Sequence, residues 1–467
     1  MTAEPNLIEI RNELARRSLL RFTIETFENY QVNWHHRLVC EYLDAFANGE
    51  IRRLMIFMPP QTGKSELASR RLPCYMLGKN PDAKIAIVSY NTDKARAFNR
   101  ECQRIIGSDR YKQIFPETRL NETRVVYSDR GNYLRNTIEF EIVGHEGKIK
   151  VAGIRGTLTG EKVDVLIADD LVKDQVEAKS PTIQLRNIEW WDSVAMTRLH
   201  NDSQILLLMT RWDNGDIPGR LLTRMRNGKC GKFEVIKLPS IKESNGTKGD
   251  KRKIGEALWP ARHSEKNIRE QEKANPGVFR ALHQQDPSVP TEFKIFSDWQ
   301  KIDEMPGHDK FYGLDFGFSN NPAAIVECQY HNEKAYVKEL FYETGQTNQE
   351  LAKILRALGV TYEEVICDGA EPKSIQELKD QGINATAGLH CANSVNTQIL
   401  FLQGIEIYYV STRGNLEFEL DNYQWLPGPD GPINQELDRY NHLLKAVMYA
   451  IYKRCNQGKP GIRFLNV

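Results

Sequence analysis

Residues 58–66 read MPPQTGKSE and begin at the last residue of the apolar run RLMIFM, residues 53–58. The end of this stretch, Gly63-Lys64-Ser65, fits the phosphate-loop pattern G-x-x-x-x-G-K-[ST]. Met58 stands where that pattern begins with glycine, so the match is incomplete. The apolar run predicts a buried strand, and the residues after the loop predict a helix. A strand, a tight turn and a helix in this order predict a parallel α/β sheet with a phosphate-binding loop at its edge.

A phosphate loop needs backbone N–H groups that face the phosphates, a lysine for the phosphate oxygens and a hydroxyl group for Mg²⁺. Pro59 and Pro60 fix φ and preset the turn that glycine would otherwise permit. The alternative is an ordinary helix start at which Lys64 is a solvated surface charge. We expect the nucleotide to be bound by Gln61, Thr62, Gly63, Lys64 and Ser65. Of these residues, Ser65 is expected to hold Mg²⁺ through its hydroxyl group.

A nucleotidase also needs a carboxylate on a neighbouring strand for the metal and a second acid that positions water. The run VDVLIADD, residues 163–170, predicts a buried parallel strand that ends in Asp169 and Asp170. We expect Asp169 to be the Mg²⁺ partner and Asp170 to activate the water, although Asp170 is one methylene shorter than the usual glutamate. The alternative role of Asp170 is to cap a turn.

The order of elements along the chain indicates two regions. Apolar β-like runs alternate with helix-like stretches through the N-terminal half, which indicates a mainly parallel sheet. Residues 242–256, KESNGTKGDKRKIGE, are rich in Gly, Asn, Ser and Lys and predict an exposed loop or linker. A second α/β region opens with KFYGLDFGF. We therefore expect an N-terminal domain over 1–240, a connecting segment over 241–304 and a C-terminal domain over 305–467.

The composition bounds the class of protein. With 467 residues the chain exceeds what one hydrophobic core normally organises. Hydrophobic residues at 40% and charged residues at 27% are typical of a soluble globular chain. No apolar run reaches the roughly 18 residues of a membrane span, the N-terminal stretch lacks a signal sequence, and the eight cysteines include no CxxC pair. We expect a soluble intracellular protein, and the net charge of +1 leaves any nucleic-acid binding to local patches such as KGDKRK and Lys453-Arg454.

Several motifs resemble those of the large terminase subunits of tailed bacteriophages, the motors that pump DNA into capsids and cut it. The likeness covers most of the chain and lies in PPQTGKSE, GIRGTLTGEKVDVLIADDLVK, WWDSVAMTRL, LLLMTRWDNGD, GEALWP and LDFGFSNN. The resemblance implies an α/β fold in which a P-loop ATPase of the ASCE type, with a mainly parallel sheet, precedes an RNase H-like nuclease domain. It also implies a coupling role for Thr210, within Met209-Thr210-Arg211, and adenine-side contacts for Trp34 and His35. The alternative for those last two is a core aromatic residue and its neighbour at a helix start.

Charge that develops on the γ-phosphoryl group requires an arginine, from the same subunit or from the next one in a ring. Many members of the family carry an arginine inside the phosphate loop, and Gln61 occupies that region here. We expect Arg155, in the glycine-bearing turn AGIRGTLTG, to supply the charge. An ordinary surface or DNA-contacting role for Arg155 is the alternative.

Hydrolysis of a phosphodiester with two metals needs carboxylates that converge on ions about 4 Å apart. FYGLDFGF predicts a strand with Asp315 at its centre, AAIVECQY and KAYVKELFYE predict the antiparallel strands that follow, and EEVICDGA predicts a strand that ends at Asp368. In this βββαβ order, which resembles an RNase H fold, the first and fourth strands lie side by side. We expect Asp315 and Asp368 to face each other as catalytic metal ligands, because a carboxylate in an apolar strand is unfavourable unless it is paired or metal-bound. A solvated strand end is the alternative.

The third metal ligand departs from the family pattern. Many terminases close the nuclease site with a helix that reads N-H-x-x-D, and this chain has YNHLLKAVMYAIYKR, with His442 in place and Lys445 where the aspartate is expected. A lysine cannot bind Mg²⁺ as an oxygen ligand does. Either Asp438 on the same helix face substitutes, or His442 and water complete a weaker shell, or the nuclease is impaired. Lys445 paired with a carboxylate in the space of a metal is a further alternative.

The resemblance implies an ATP-driven packaging motor that translocates double-stranded DNA into a procapsid and cleaves concatemeric DNA. Its implied cofactors are ATP with Mg²⁺, and Mg²⁺ or Mn²⁺ for the nuclease. Its implied partners are double-stranded DNA, a small terminase subunit, the portal protein of the procapsid and a homo-oligomeric ring, a pentamer, in the host cytoplasm and with no membrane. Two rival functions stay open: a helicase-like DNA remodeller with a fused nuclease, and a nuclease-impaired prophage remnant that only binds DNA or portal. Met58 and Lys445 are the residues that favour the remnant.

Overall fold

The computed structural model describes residues 7–126, 132–156, 158, 162–289, 291–317, 321–389, 394–428 and 431–456. The chain divides into two compact units, Met1–Pro287 and Ser288–Val467. The boundary between the two units therefore falls inside the segment 241–304. The part of this segment before the boundary has a small buried apolar cluster of its own, formed by Ile241, Ala257, Ile268 and Phe279. None of the helices in these ranges combines the length and the apolarity that crossing a membrane requires.

The first unit alternates strands with helices. Its strands are β1 (Arg53–Phe57), β2 (Lys84–Ser89), β3 (Glu139–Glu141), β4 (Lys148–Gly153), β5 (Val163–Asp169), β6 (Leu199–Met209) and β7 (Glu234–Lys237). Its helices are α1 (Leu7–Arg17), α2 (Leu19–Thr26), α3 (Trp34–Ala47), α4 (Leu72–Lys79), α5 (Thr92–Gly107), α6 (Asp109–Ile114), α7 (Gln175–Lys179), α8 (Pro181–Trp190), α9 (Ile217–Arg226), α10 (Glu265–Ala274) and α11 (Pro276–Leu282). Shorter helical turns are the π-helical segments Glu66–Arg71 and Trp191–Ala195 and the 3₁₀ turn Met196–Arg198.

The strands of this unit form a sheet in the order β3-β4-β2-β5-β6-β1-β7. All neighbours are parallel except the antiparallel pair β3 and β4, which confirms the mainly parallel sheet predicted for the N-terminal half. The register places Phe57 opposite Met209 and Asp169 opposite Leu208. The residues that follow β1, β5 and β6 therefore emerge together at the carboxyl edge, where ligands of such sheets bind.

Helices cover both faces of this sheet. Leu54 and Ile56 of β1 lie in one buried cluster, together with side chains of α3 and α4, and Met55 and Phe57 lie in the other, together with side chains of α8 and α9. A strand that is buried on both faces has a continuous apolar sequence, which is why RLMIFM predicted it. Each buried aliphatic side chain of this kind contributes about 1.5–3 kcal/mol.

The helix after the phosphate loop is not the regular α-helix that its sequence predicts. Residues Glu66–Arg71 are π-helical, and α4 begins only after them. Glu66 accepts hydrogen bonds from Arg70 Nη1 at 2.7 Å and from Arg71 Nε at 2.8 Å. Arg71 Nη1 also donates to the carbonyl of Thr26 at 2.8 Å. These bonds anchor the widened turn to α2, a long-range contact that local periodicity cannot reveal.

Residues 242–256 form a mostly exposed loop, as their composition predicts, but two of its cations are not exposed. Lys242 and Arg252 are buried. Lys242 Nζ donates to the carbonyls of Asp250 and Arg252 at 2.8 and 2.6 Å, and Arg252 Nη2 pairs with Asp250 Oδ2 at 2.8 Å. The acceptors of these hydrogen bonds are backbone carbonyls and the Asp250 carboxylate of the same segment. The two cations can therefore be buried within a segment of polar composition. Arg252, part of a basic patch expected to meet DNA, already has these partners.

The second unit contains the remaining elements. Its strands are β8 (Gln300–Lys301), β9 (Lys310–Asp315), β10 (Ala323–His331), β11 (Lys334–Glu343), β12 (Val365–Cys367), β13 (Ala385–Ala387), β14 (Glu406–Val410), β15 (Trp425–Gly428) and β16 (Gly431–Glu436). Its helices are α12 (Asn348–Ala357), α13 (Pro372–Asp380), α14 (Ser394–Gln403), α15 (Asn415–Asn422) and α16 (His442–Asn456), with a 3₁₀ turn at Thr291–Phe293.

The main sheet of this unit has the order β13-β12-β9-β10-β11-β14-β8, and β15 pairs with β16 separately. Strand β10 is antiparallel to β9 and β11, while β12 is parallel to β9. The predicted βββαβ order, with its first and fourth strands adjacent, is confirmed. Asp315 is the last residue of β9 and not its centre. Helix α16 packs on the sheet through buried side chains that include Leu444, Val447 and Ile451.

Candidate functional site

Three groups expected at a nucleotide site meet at the carboxyl edge of the first sheet. Lys64 Nζ lies 3.1 Å from Asp170 Oδ1 and donates to the hydroxyl of Thr210. The backbone N–H of Thr210 donates to the same Asp170 oxygen at 2.9 Å. Lys64 is 6% exposed, so these contacts replace most of its hydration. They tie the end of the phosphate loop to the ends of β5 and β6.

Asp169 lies beside this group and is 1% exposed. Its Oδ2 accepts a hydrogen bond from Ser69 Oγ at 2.6 Å, whereas its buried Oδ1 has no hydrogen-bond partner in the described residues. Burial raises the pKa of Asp169, and the charge of Asp170 raises it further. Lys64 and the hydroxyls of Ser69 and Ser65 oppose that rise in pKa. An unpartnered buried carboxylate oxygen beside a hydroxyl fits a magnesium ion, so Asp169 and Ser65 are suited to hold one.

The loop itself adopts backbone conformations that favour glycine. The φ angle is 59° at Gln61 and 90° at Gly63. A Cβ atom at position 63 would lie 2.8 Å from His36 Nε2, so both the backbone angle and the space require glycine there. The hydroxyl of Thr62 donates to the carbonyl of Pro59 at 2.7 Å and closes the turn. The loop is therefore shaped without the initial glycine that Met58 replaces.

Helix α3 holds the loop through one carbonyl oxygen. Nε2 of His35 and Nε2 of His36 each lie 3.1 Å from the oxygen of Thr62. The Nδ1 atoms face donors from Asn33: its backbone N–H for His36 at 3.0 Å and its side-chain amide for His35 at 2.9 Å. Both rings therefore carry their proton on Nε2 and donate it to Thr62. Burial lowers the pKa of His35 to about 3 and also lowers the pKa of His36, so both rings are neutral.

A cavity of about 810 Å³ opens in front of the loop. Besides the loop, Asp170 and Thr210, it is lined by side chains that the sequence analysis did not single out, among them Tyr30, Gln31, His36, Trp259 and Arg262. In NYQVNW, residues 29–34, an aromatic residue is followed directly by an amide residue. This succession is the signal that could have pointed to Tyr30 and Gln31.

The two residues expected on the adenine side lie elsewhere. Within the described lining of the cavity neither Trp34 nor His35 is present. His35 is buried behind the loop, where it donates to Thr62. The indole N–H of Trp34 donates to the carbonyl of Leu258 at 3.0 Å. The first turn of α3 thus supports the phosphate loop through His35 and reaches the cavity through His36.

The positive charge of the cavity comes from residues other than Arg155. Arg155 is exposed in the turn after β4, at φ 64°, and is not one of the described residues around the cavity. Arg70 lines the cavity but pairs with Glu66 at 2.7 Å. Arg262 also lines it, is exposed, and stacks its guanidinium carbon 5.2 Å from the ring centroid of Trp259. Arg262 is therefore the arginine presented to a ligand in this cavity.

The residue after Thr210 connects the site to a distant segment of the same unit. Arg211 is buried, and its Nε donates to Asp216 Oδ2 at 3.0 Å. Its backbone N–H donates to Gln285 Oε1 at 3.1 Å. Gln285 follows α11 and has a φ of 55°. A buried, hydrogen-bonded link thus joins the residue after Thr210 to the segment around Gln285.

In the second unit, Asp315 and Asp368 emerge side by side, because the register pairs Leu314 with Cys367 just before them. Asp315 is 6% exposed, and its Oδ2 lies 2.8 Å from Nδ1 of His442 at the start of α16. Burial raises the pKa of Asp315, the contact with His442 opposes the rise, and the charge of Asp368 adds to it. Burial alone would lower the pKa of His442, but the bond and charge of Asp315 raise it overall.

The position at which the family pattern has an aspartate holds a paired lysine. Lys445 Nζ donates to Asp438 Oδ1 at 2.6 Å, and the Asn441 amide donates to the same oxygen at 3.0 Å. Burial opposes ionisation of Asp438, yet these two donors lower its pKa overall. Helix α16 begins at His442, so Asp438 precedes the helix and does not lie on its face as expected. Its carboxylate is engaged by the lysine.

A buried acid that the sequence analysis missed supports this site. Glu419 accepts the backbone N–H groups of His442 and Leu444 at 3.0 Å each, and so caps the start of α16. Burial raises the pKa of Glu419 to about 7, while the charge of His442 opposes the rise. Its motif, LEFEL, has only the pattern of a short helix, so the partner on α16 was not predictable.

Asp315 and Asp368 are the two acids of this site that emerge next to each other at the strand ends. Across the ranges that the structure describes, no group of three or more His, Cys, Asp or Glu side chains is arranged to hold a metal. Mg²⁺ is commonly bound by one or two carboxylates together with substrate phosphates and water. Asp315 and Asp368 supply such a pair, and they do not by themselves form a two-metal cluster.

Comparison with known families matches both units. The family model described as "Terminase large subunit, T4likevirus-type, N-terminal" matches residues 55–277. The model described as "Terminase RNAseH like domain" matches residues 315–453. The matched ranges follow one another in the order of the two units and include the phosphate loop, both aspartate pairs and the start of α16.

Individual relatives are more distant. The PBSX phage terminase large subunit of Bacillus subtilis (strain 168) is 29% identical over 143 residues, which cover 30% of this chain and 33% of the relative. The terminase large subunit of Bacillus phage SPP1 is 27% identical over 153 residues, 31% of this chain and 36% of the relative. The aligned part thus spans about a third of the length of these curated relatives. The crystal structure of the g2p (large terminase) nuclease domain from bacteriophage SPP1 with bound Mn is 24% identical, with a TM-score of 0.32, and the match covers 35% of this chain and 99% of that chain. On the evidence of the two family models, the chain belongs to the family of bacteriophage large terminase subunits.

Proposed function

We propose that this chain hydrolyses ATP at the carboxyl edge of its first sheet and uses the hydrolysis to translocate double-stranded DNA into a procapsid. The observation that carries the proposal is the meeting of Lys64, Asp170 and Thr210 beside a cavity of about 810 Å³. That volume falls in the range of pockets that take a small organic ligand. Membership of the large terminase family supports the same function.

The contacts of Lys64 suggest what a nucleotide would change. The ammonium group is held by Asp170 and Thr210, and triphosphate oxygens would compete for it. Lys64 and the N–H groups of the loop would then hold the phosphates, which frees Asp170 to orient the attacking water. Asp169 and Ser65 would hold Mg²⁺, which neutralises charge on the phosphate oxygens when it is bound.

Coupling to movement would begin at the same contacts. When Lys64 leaves Thr210 for a phosphate, the backbone of Thr210 loses one of its fixed neighbours. Arg211 links that backbone to Asp216 and Gln285 through buried hydrogen bonds. We propose that this link carries the change from the nucleotide to the segment that ends the first unit.

Two arginines would act on the nucleotide from different sides. Arg262 faces the cavity of its own chain and is proposed to contact the phosphates in cis. Arg155 is exposed outside the described lining of that cavity, so its proposed role is to reach the nucleotide of a neighbouring subunit in a ring. A positioned arginine stabilises charge on the transferred phosphoryl group in either arrangement.

The second unit is proposed to cleave DNA with a divalent cation held by Asp315 and Asp368. The buried position of Asp315 and the adjacent position of Asp368 support this role. His442 orients the Asp315 carboxylate through the 2.8 Å contact. Of the expected basic contacts, Lys453 donates to Glu364 at 2.9 Å and Arg454 stacks on Phe311, so neither is proposed as a main DNA ligand.

The proposed partners follow from family membership: double-stranded DNA, a small terminase subunit, the portal of a procapsid and further copies of this chain in a pentameric ring, in the host cytoplasm. Stimulation of ATP hydrolysis by portal-bearing procapsids with DNA tests the proposal. We expect stimulation with the native chain and none with Lys64→Ala. The exposed Lys79→Ala, at the end of α4, is the matched control and should behave as the native chain. Strand unwinding without procapsids, with no stimulation by them, would contradict packaging and favour a remodeller.

A further inference from the structure

Lys445 brings a fixed positive charge to the edge at which Asp315 and Asp368 emerge. It lies three residues after His442 on α16, so the two side chains share one face of the helix. Its ammonium group is held by Asp438 at 2.6 Å, and its side chain is 18% exposed. Its charge also acts on the carboxylate of Asp315, whose pKa it lowers. The lysine is therefore part of the candidate nuclease site and not a distant surface residue.

The acids that could complete a second metal site have other partners. Asp438 accepts bonds from Lys445 and Asn441. Glu436 accepts the amide of Asn441 at 3.1 Å and the hydroxyl of Tyr423. Glu419 caps α16 with both of its oxygens. Asp315 contacts His442, and Asp368 accepts the backbone N–H of Ala370 at 2.9 Å. These two acids emerge together at the strand ends and are the pair proposed to hold the metal ion.

A cleaved phosphodiester builds negative charge on its phosphoryl oxygens, and any fixed cation near them stabilises that charge. An ammonium group has three N–H donors. Asp438 takes one donor of Lys445, and the other two suffice for phosphate oxygens. The pair also fixes the direction of a long side chain that would otherwise lose rotamer entropy on binding DNA.

We infer that this nuclease uses one divalent cation, bound by Asp315 and Asp368, and that Lys445 takes the place of a second cation by contacting the scissile phosphate of DNA. The inference rests on the proposed nuclease function and deepens it. It gives Lys445 a positive role where the family pattern has an acid, so the substitution is not a loss of the site.

The number of bound ions tests the inference without measuring cleavage. Mn²⁺ is titrated calorimetrically into the full-length chain without nucleotide, and each chain is compared with the same chain carrying Asp315→Asn. The difference counts the ions that depend on Asp315. We expect one such ion for the native chain and two for Lys445→Asp. Two such ions for the native chain would overturn the inference. None for the native chain would overturn both the inference and the nuclease proposal.

Cleavage of supercoiled plasmid with Mn²⁺ separates the two proposals. We expect Lys445→Ala to cut about 100-fold more slowly than the native chain, as when one charge-stabilising donor is removed. Lys445→Arg should recover much of the rate, and the exposed Lys379→Ala should cut as the native chain does. If Lys445→Ala cuts at the native rate and Asp315→Asn does not cut, the Lys445 inference fails and the nuclease proposal stands. If Asp315→Asn cuts at the native rate, the nuclease proposal itself fails.

A purely structural role for the Lys445–Asp438 pair predicts a different result. Asp438→Asn keeps the lysine charge and removes its ionic partner, so we expect it to slow cutting much less than Lys445→Ala. Equal loss in both variants, with a lowered melting temperature in both, would overturn the inference. The rate at rising Mn²⁺ gives a second readout. We expect first-order dependence for the native chain and a steeper dependence for Lys445→Asp.

Discussion

Lys64 and Thr210 lie 146 residues apart in the sequence, yet the ammonium group of the first donates directly to the hydroxyl of the second. Both also contact Asp170, through the 3.1 Å ion pair of Lys64 and the 2.9 Å backbone bond of Thr210. The phosphate-loop lysine is thus held by the ends of two other strands. A nucleotide that binds the lysine would have to break its contacts with Asp170 and Thr210. Binding would therefore release the ends of the two strands from the phosphate loop.

Thr210→Val removes the hydroxyl that Lys64 contacts while keeping the shape of the side chain. We expect ATP to bind about tenfold more tightly, because the nucleotide no longer has to break a hydrogen bond to a charged group, which contributes roughly 1.5–3 kcal/mol to the nucleotide-free chain. Thr210→Ser keeps the hydroxyl and should bind ATP as the native chain does. Nucleotide titration of the isolated chains measures both affinities. Equal affinity of the valine variant and the native chain would show that ATP does not displace this contact.

Gly63→Ala tests the fit between the loop and α3. The new Cβ would meet His36 Nε2 at 2.8 Å and would also be strained by the φ of 90°. Gly228→Ala is the matched control, because its φ is 67° and nothing lies within 4 Å of the added atom. We expect the first variant to lose about 1–3 kcal/mol more unfolding free energy than the control in urea. Equal losses would mean that His36 does not hold the loop.

His35→Gln tests the neutral histidine pair through pH. The pKa of His35 is lowered from 6.5 to about 3 by burial, so the unfolded chain binds more protons than the folded chain between these values. Stability from the neutral ring is present above about pH 6.5 and is lost as the pH falls towards 3. Glutamine keeps an N–H donor for Thr62 and cannot titrate.

Between pH 6.5 and 4.5 we expect the native chain to lose roughly 2–3 kcal/mol more unfolding free energy than His35→Gln, measured by urea unfolding at each pH. The other titrating groups, His36 among them, are common to both chains and cancel in the difference. Parallel pH profiles for the two chains would contradict a buried, neutral His35.

Arg262 and Arg155 should respond to different assays. Arg262→Ala is expected to weaken ATP binding to the isolated chain about tenfold, as loss of one charged hydrogen bond does. Arg155→Ala should leave that binding unchanged and slow turnover only in the assembled ring. Fluorescent-nucleotide titration of the isolated chain measures the first effect. A loss of affinity on Arg155→Ala alone would place it in the cavity of its own chain.

Much of the fold was predictable because the strands of both sheets have local sequence patterns that indicate them directly. Apolar runs buried on both faces identified β1, β5 and β6, and acids at strand ends identified Asp169 and Asp170. The alternation of strands after Asp315 identified the second sheet in the same way. These patterns depend on the chain's own periodicity, which sequence displays directly.

Contacts between distant segments were not predictable. His35 is buried behind Thr62 because α3 supports the loop, and Arg262 enters the cavity because its segment packs near Trp259. Lys242 is buried because two carbonyls of its own segment accept its charge. The sequence gives residue types and their spacing, but it does not show which buried polar groups form hydrogen bonds with one another after folding.

Binding of Mg–ATPγS to the native chain and to Lys64→Ala, by isothermal titration calorimetry, tests the central claim most directly. The claim is that Lys64, Ser65, Asp169 and Asp170 surround one magnesium nucleotide. We predict saturable one-to-one binding to the native chain and to the Lys79→Ala control, and at least tenfold weaker binding to Lys64→Ala. Equal affinity of Lys64→Ala and the native chain, or no binding to the native chain at all, would contradict it.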